Sequence, residues 1–165
     1  MPHNFDKDKH KLSLHHVALR SVSQAIDASF YPGFATINCA PQYKANCIQY
    51  IKNTLAQENT EATNFICFVY ECGMRLIDTS KQGTDEIIKE SSVIFEIEVE
   101  FCAYYSFKEE VSNSTLDEFG RRNVGYHVWP YWRELNQSLC IRSDIGYHPL
   151  PSYQDPGPST DKDNK

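Results

Sequence analysis

No apolar run in this chain approaches the roughly 20 residues that a helix needs to cross a bilayer, which excludes a helical membrane anchor. The first residues, MPHNFDKDKHK, are charged and no apolar stretch follows them, so no secretory signal is expected. Basic residues are in the minority: 16 Lys and Arg stand against 22 Asp and Glu, a formal net charge of −6 and a pI near 5.5. Nonspecific nucleic-acid binding relies on Lys and Arg neutralising phosphates, and this balance argues against it. The six cysteines (Cys39, Cys47, Cys67, Cys72, Cys102, Cys140) form no CxxC pair. Four of them lie in or beside apolar segments, so they read as reduced, partly buried thiols rather than a disulfide framework. Zinc ligands usually come in closely spaced pairs. His10, His15 and His16 are a weak hint of that kind, and no metal is expected. There is also no GxSxG, HExxH, P-loop or GxGxxG, so neither a cofactor nor a catalytic residue is expected.

What the chain does have is room for one domain, at 165 residues. Its composition is 41% hydrophobic and 13% aromatic with a mean hydropathy of −0.53. That is enough apolar material for a core, and the expectation is a cytoplasmic, acidic domain over residues 12–153. Residues 1–11 are expected to be flexible, and the polar tail 154–165 (QDPGPSTDKDNK) disordered. The charge is unevenly placed. From Glu96 to Glu110 there are five Glu against one Lys, a local −4 of the total −6.

The strongest periodic signal runs from Val93 to Phe107, where Val93, Phe95, Ile97, Val99, Phe101, Ala103, Tyr105 and Phe107 alternate with Glu96, Glu98, Glu100, Tyr104 and Ser106. Period two over this length predicts a half-buried antiparallel strand. Its glutamates then form a stripe on the wet face, although charged stripes are commonly no more than solvated faces. Residues Asn64–Ile77 predict a second long strand, with Gly73 marking a bulge or bend. A link with a helical turn near Asp85–Glu90 joins the two as a hairpin. Cys47–Leu55 predicts a shorter strand, with Ile48 and Tyr50 on one side and Ile51 out of step. Ahead of it FYPGFATINCAPQYK (residues 30–44) reads as a long aromatic loop. Residues Leu12–Ile26 are compatible with either helix or strand.

After Phe107, Thr115 and Glu118 stand at capping-box spacing for a helix start. Pro130 suits the first turn of a helix that runs to about Arg142. Trp132, Leu135 and Leu139, with Val128 ahead, form its apolar stripe, and Gly146 and Pro149 stop it.

At this helix the sequence resembles the SecB-like export chaperones. The resemblance is carried by Val128-Trp129-Pro130-Tyr131-Trp132-Arg133-Glu134, then Arg142, then His148-Pro149-Leu150, and it is specific over Ile94–Leu150. It implies an α+β protomer, a SecB-like four-stranded antiparallel sheet packed with a long C-terminal helix. It also implies a homotetramer, a dimer of dimers, in which that helix carries Trp129, Trp132, Arg133, Glu134, Leu135 and Leu139. The implied activity is ATP-independent holding of unfolded or slowly folding polypeptides for export, without catalysis. Clients would meet Phe30, Tyr31, Phe34, Tyr43, Ile48 and Tyr50, while the SecA translocase motor would dock on Glu96, Glu98 and Glu100. After Leu150 the sequence lacks the second C-terminal helix of the export chaperones. In this it looks like the SecB-like chaperones of toxin–antitoxin modules, whose partner is an antitoxin. Two other classes stay open beside the resemblance. One is a ligand-binding or enzymatic α+β domain using His127, Cys102 or Glu100; the other is a purely structural oligomer.

Overall fold

The computed structural model describes residues 9–30, 38–55, 63–81, 92–146 and 148–154. The expected Asp85–Glu90 turn lies outside them. Strand β4 (Val93–Phe107) occupies the bounds the alternation predicts. Its residues Phe95, Ile97, Val99, Phe101, Ala103 and Tyr105 are buried on one face. Strand β3 (Thr63–Asp78) pairs with it antiparallel, from Asn64 opposite Phe107 to Ile77 opposite Val93. Strands β1 (Ser13–Ile26) and β2 (Cys39–Leu55) flank this pair, giving a four-stranded antiparallel sheet in the order β1-β4-β3-β2. The two strands of most regular alternation are thus central, and the two irregular ones are edges.

β1 resolves the helix-or-strand ambiguity of residues 12–26 as strand. Its pairing with β4 slips between Leu14 and His16 and again between Leu19 and Ser21. Each slip is a bulge that adds one residue on the β1 side. β2 begins eight residues earlier than the expected Cys47 start, so Tyr43 is a strand residue and not part of a loop. A bulge between Cys47 and Gln49 explains why Ile51 is out of step. Tyr43 and Cys47 face the helix side before the bulge and Tyr50 after it, opposite Met74, Tyr70 and Phe68 respectively. Gly73 is not a bulge: its pairing with Lys44 and Glu98 is regular. It is there because a Cβ would meet the Lys44 side chain at 2.6 Å, so glycine makes room for the lysine stem.

One face of the sheet is covered by helix. Ser112 caps α1 (Asn113–Phe119), its hydroxyl accepting the Thr115 N–H at 3.2 Å. The expected capping box at Thr115 is therefore displaced by one turn. Thr115 is buried inside the helix, and Glu118 pairs with Arg121 at 2.7 Å instead. A π-turn (Gly120–Val124) leads directly into α2 (Gly125–Arg142). Pro130 is the sixth residue of α2, not a first-turn residue. Proline there leaves the carbonyl four residues back, that of Tyr126, without its helical partner. Both residues are exposed, where water can meet that carbonyl. The buried face of α2 is Val128, Trp129, Trp132, Asn136 and Cys140, and Leu135 and Leu139 pack partly buried beside it. Phe68, Tyr105 and Phe119 knit helix to sheet, with ring centroids 5.1 to 5.6 Å apart.

Candidate functional site

Two surfaces remain once the core is closed. The first lies on the helix side, along β2. Tyr43, Cys47 and Tyr50 of β2 are partly buried against the core, as is Phe30 beyond the end of β1, and the Tyr50 ring is 5.7 Å from Phe68. Of the six expected client residues, Phe30, Tyr43 and Tyr50 therefore border one core. Ile48 falls at the β2 bulge and is 42% exposed. Tyr31 and Phe34 lie outside the described residues. Between β2, the π-turn and α2 is a recess of about 350 Å³, lined among others by Ala45, Asn46, Tyr70, Arg121, Trp129 and Tyr153.

Residues 148–154 run along that side as an extended strap. Its carbonyls are taken by donors from two elements. The Asn136 amide donates to His148 at 3.2 Å, the Tyr43 hydroxyl to Pro149 at 3.3 Å, and the Trp129 indole to Pro151 at 3.1 Å. Tyr153 lays its ring 5.6 Å from Trp129 and donates its hydroxyl to the Arg122 carbonyl at 3.0 Å. Gly125 permits this seat, since a Cβ there would come within 2.6 Å of the Tyr153 ring. Trp129, expected in the packing of the helix, thus also donates to the strap, and Asn136, Tyr70 and Tyr153 join it in this site without having been expected there. Pro149, Pro151 and Tyr153, apolar and aromatic residues just ahead of a polar tail, were the available signal.

The second surface is the outer sheet face, and it is divided. At one end Glu96, Glu98 and Glu100 do lie together, but cations from neighbouring strands interleave them. Lys44 bonds both Glu71 and Glu98, the latter at 2.6 Å, and Arg20, the bulged residue of β1, reaches Glu100 at 3.5 Å. Arg75 stands opposite Glu96 and donates to Gln42 at 2.9 Å. The hydrogen bonds that Lys44 donates to Glu71 and then Glu98 raise its pKa. Counting Glu71, Glu96, Glu98 and Glu100 against Arg20, Lys44 and Arg75, four against three, this end carries about one negative charge in all. At the other end Cys67, Val69 and Cys102 form a small buried cluster with Tyr104. His16 stacks on Tyr104 with centroids 4.5 Å apart.

The expected helix residues divide between two environments. Trp129 and Trp132 are buried and Leu135 and Leu139 half-buried, whereas Arg133 and Glu134 are exposed and make no ion pair among the described residues. The three residues of the enzymatic alternative do not converge. His127 sits on the helix side, accepting or donating a 2.8 Å bond with the Tyr105 hydroxyl, while Cys102 and Glu100 are on the opposite face of the sheet. Burial lowers the His127 pKa. Burial also pushes the Cys47 and Cys140 thiols up to about 11 and those of Cys67 and Cys72 up to about 12. Protonated thiols are poor nucleophiles.

No family model and no curated protein matches this chain. Among solved structures it is similar to a SecB-like chaperone of Mycobacterium tuberculosis in complex with a ChAD peptide from the HigA1 antitoxin. The TM-score is 0.57 at 14% identity, over 90% of this chain and 94% of that one. The likeness is one of fold: a SecB-like α+β arrangement of four antiparallel strands and one long C-terminal helix.

Proposed function

We propose that this protein is an ATP-independent holdase that binds unfolded or slowly folding polypeptides. The observation that carries this reading is the aromatic border of β2, Tyr43 and Tyr50, beside a recess walled by Tyr70 and Trp129, on a SecB-like fold. Capturing unfolded chains requires adaptable apolar surface, and aromatics supply much area at low entropic cost. Client release needs no chemistry, which suits a fold whose buried thiols are protonated and whose half-buried His127 is bonded to Tyr105.

Of the two branches of the resemblance, service to an antitoxin is favoured over export. The M. tuberculosis chaperone was solved with an antitoxin peptide, and no second helix follows α2 among the described residues. Docking of a SecA-like motor on Glu96, Glu98 and Glu100 is the second reading. It must contend with Lys44 and Arg20, which already engage Glu98 and Glu100. The protein works in this reading as a cytoplasmic homotetramer.

Suppression of the aggregation of reduced α-lactalbumin, recorded beside native mass, tests the proposal. A well-folded oligomer that fails to suppress it would refute the holdase reading. Replacing Tyr43 and Tyr50 together by Ser is expected to weaken holding roughly tenfold or more, two truncated aromatic contacts of about 1 kcal/mol each giving that order. Unchanged holding would put the client surface elsewhere.

A further inference from the structure

The strap 148–154 is bound in a manner that defines a ligand. Three of its carbonyls are read by side-chain donors, Asn136, Tyr43 and Trp129, and not by a strand edge. Pro149 and Pro151 have no N–H, so neither can donate to a strand ladder. Donors aimed at backbone carbonyls are indifferent to the side chains of the segment that presents them. Side-chain selection is confined to two positions three residues apart: Leu150, buried in the core, and Tyr153, seated against Trp129 over Gly125. Asn136 is itself 1% exposed. With the strap seated, its amide is shielded from water and finds its acceptor in the His148 carbonyl, so the groove is matched to a segment that presents a carbonyl there.

We propose that this groove is a binding site for extended, proline-compatible segments carrying an apolar residue and a tyrosine three positions later, and that residues 148–154 are its resident occupant in cis. The inference rests on the holdase reading for the source of the competing segment, an unfolded client. It goes further in naming the segment chemistry and the residues that read it. A client of this pattern enters by displacing the strap, so the strap weakens client binding by the fraction of molecules in which it is seated. Occupancy of about 90% would weaken it about tenfold.

The test uses the full-length chain and its Tyr153→Ser and Tyr153→Phe variants. The ligands are a fluorescein-labelled synthetic peptide of residues 148–154 (HPLPSYQ) and permanently unfolded, carboxymethylated α-lactalbumin. The labelled peptide is expected to bind Tyr153→Ser about tenfold more tightly than the unmodified chain, with Tyr153→Phe between them. Carboxymethylated α-lactalbumin is expected to compete with the peptide and to gain affinity in the same order. Peptide affinity that is equal across the three proteins overturns the strap assignment. Peptide affinity that follows Tyr153, while α-lactalbumin neither binds nor competes, upholds the groove and sinks the holdase reading instead. Because Tyr153→Phe keeps the ring and removes the bond to the Arg122 carbonyl, it supplies a folded comparison should the serine variant be unstable.

Discussion

Trp132 is fully buried, and its indole N–H is the one buried side-chain polar atom among the described residues without a hydrogen-bond partner. Two substitutions separate the volume of this side chain from its polarity. Trp132→Ala should cost about 3–5 kcal/mol through lost burial and a cavity. Trp132→Phe should cost clearly less, because it also removes a desolvated donor whose burial costs about 1–3 kcal/mol. Urea unfolding of the two variants measures the difference, and equal losses would mean that the N–H is satisfied in solution. Lys44 offers a second residue-scale test. A Cβ at position 73 collides with the lysine stem, whose far end can swing away, so Gly73→Ala should detach Lys44 from Glu71 and Glu98. Exposed ion pairs contribute only about 0–1 kcal/mol, and stability should change by no more than that. The Lys44 ammonium, raised by those two glutamates, should fall towards the ordinary lysine value in an NMR titration. None of this was legible in the sequence. The glutamate stripe reads from one strand, but the cations that interleave it come from three others and become neighbours only through register.

Among the elements, legibility tracked the regularity of pairing. β4 could be read to its ends because its alternation is uninterrupted and both of its neighbours are strands. β1 was ambiguous for a physical reason: bulges at His15 and Arg20 place its inward residues at Leu14, Val17, Leu19 and Val22. That spacing of three, two and three imitates a helix. The single bulge of β2 likewise put Ile51 out of step and left Tyr43 looking like loop. Helix α2 was recognised by its stripe, but its start was read too late. A proline is commonest in the first turn, and this one is tolerated deeper because its side of the helix is exposed. The strap was missed since nothing in a short Pro-rich segment announces which carbonyls will find donors. The buried elements carry a pH prediction. Burial raises the thiols of Cys47, Cys67, Cys72 and Cys140 from 9.0, and the phenols of Tyr70 and Tyr105 from 10.0. In each case the unfolded chain loses its proton first. Stability should therefore be level below about pH 8.5, fall as pH passes 9, and fall more steeply above 10. Urea midpoints from pH 7 to 11 check this, and a flat profile would contradict the burial of these groups in solution. His127 acts at the other end: its lowered pKa contributes stability above 6.5 that is lost as pH falls below that value.

At the scale of the whole molecule, the protomer leaves an unusual amount of one edge uncovered. β1 is exposed along nearly all of its 14 residues. On its helix side Leu14, Leu19, Val22 and Ile26 are 40, 50, 47 and 38% exposed. They stand opposite Tyr105, Phe101, Val99 and Phe95 of β4, all of them core residues. The sheet's apolar face thus continues past the helix that covers it, onto a strand whose outer N–H and C=O groups have no partner strand among the described residues. Natural edges are commonly protected by charge, brevity or proline. This one is long and has a single charged residue, Arg20, which is directed to the opposite face. An assembly in which a second copy covers β1 would protect both features together, and this is the surface on which the proposed tetramer would depend. Leu19→Glu with Val22→Glu places two carboxylates in the apolar row without replacing a buried residue of the protomer. Native mass spectrometry should then show a smaller species than the unmodified protein, at a protomer stability within about 1 kcal/mol of it, the ordinary range for surface substitutions. Unchanged mass would remove β1 from the interface and leave its apolar row free for clients. In that case the same double variant should lose holding of unfolded α-lactalbumin, whereas disruption of the assembly alone should leave the Tyr43–Trp129 groove of each protomer able to bind the HPLPSYQ peptide.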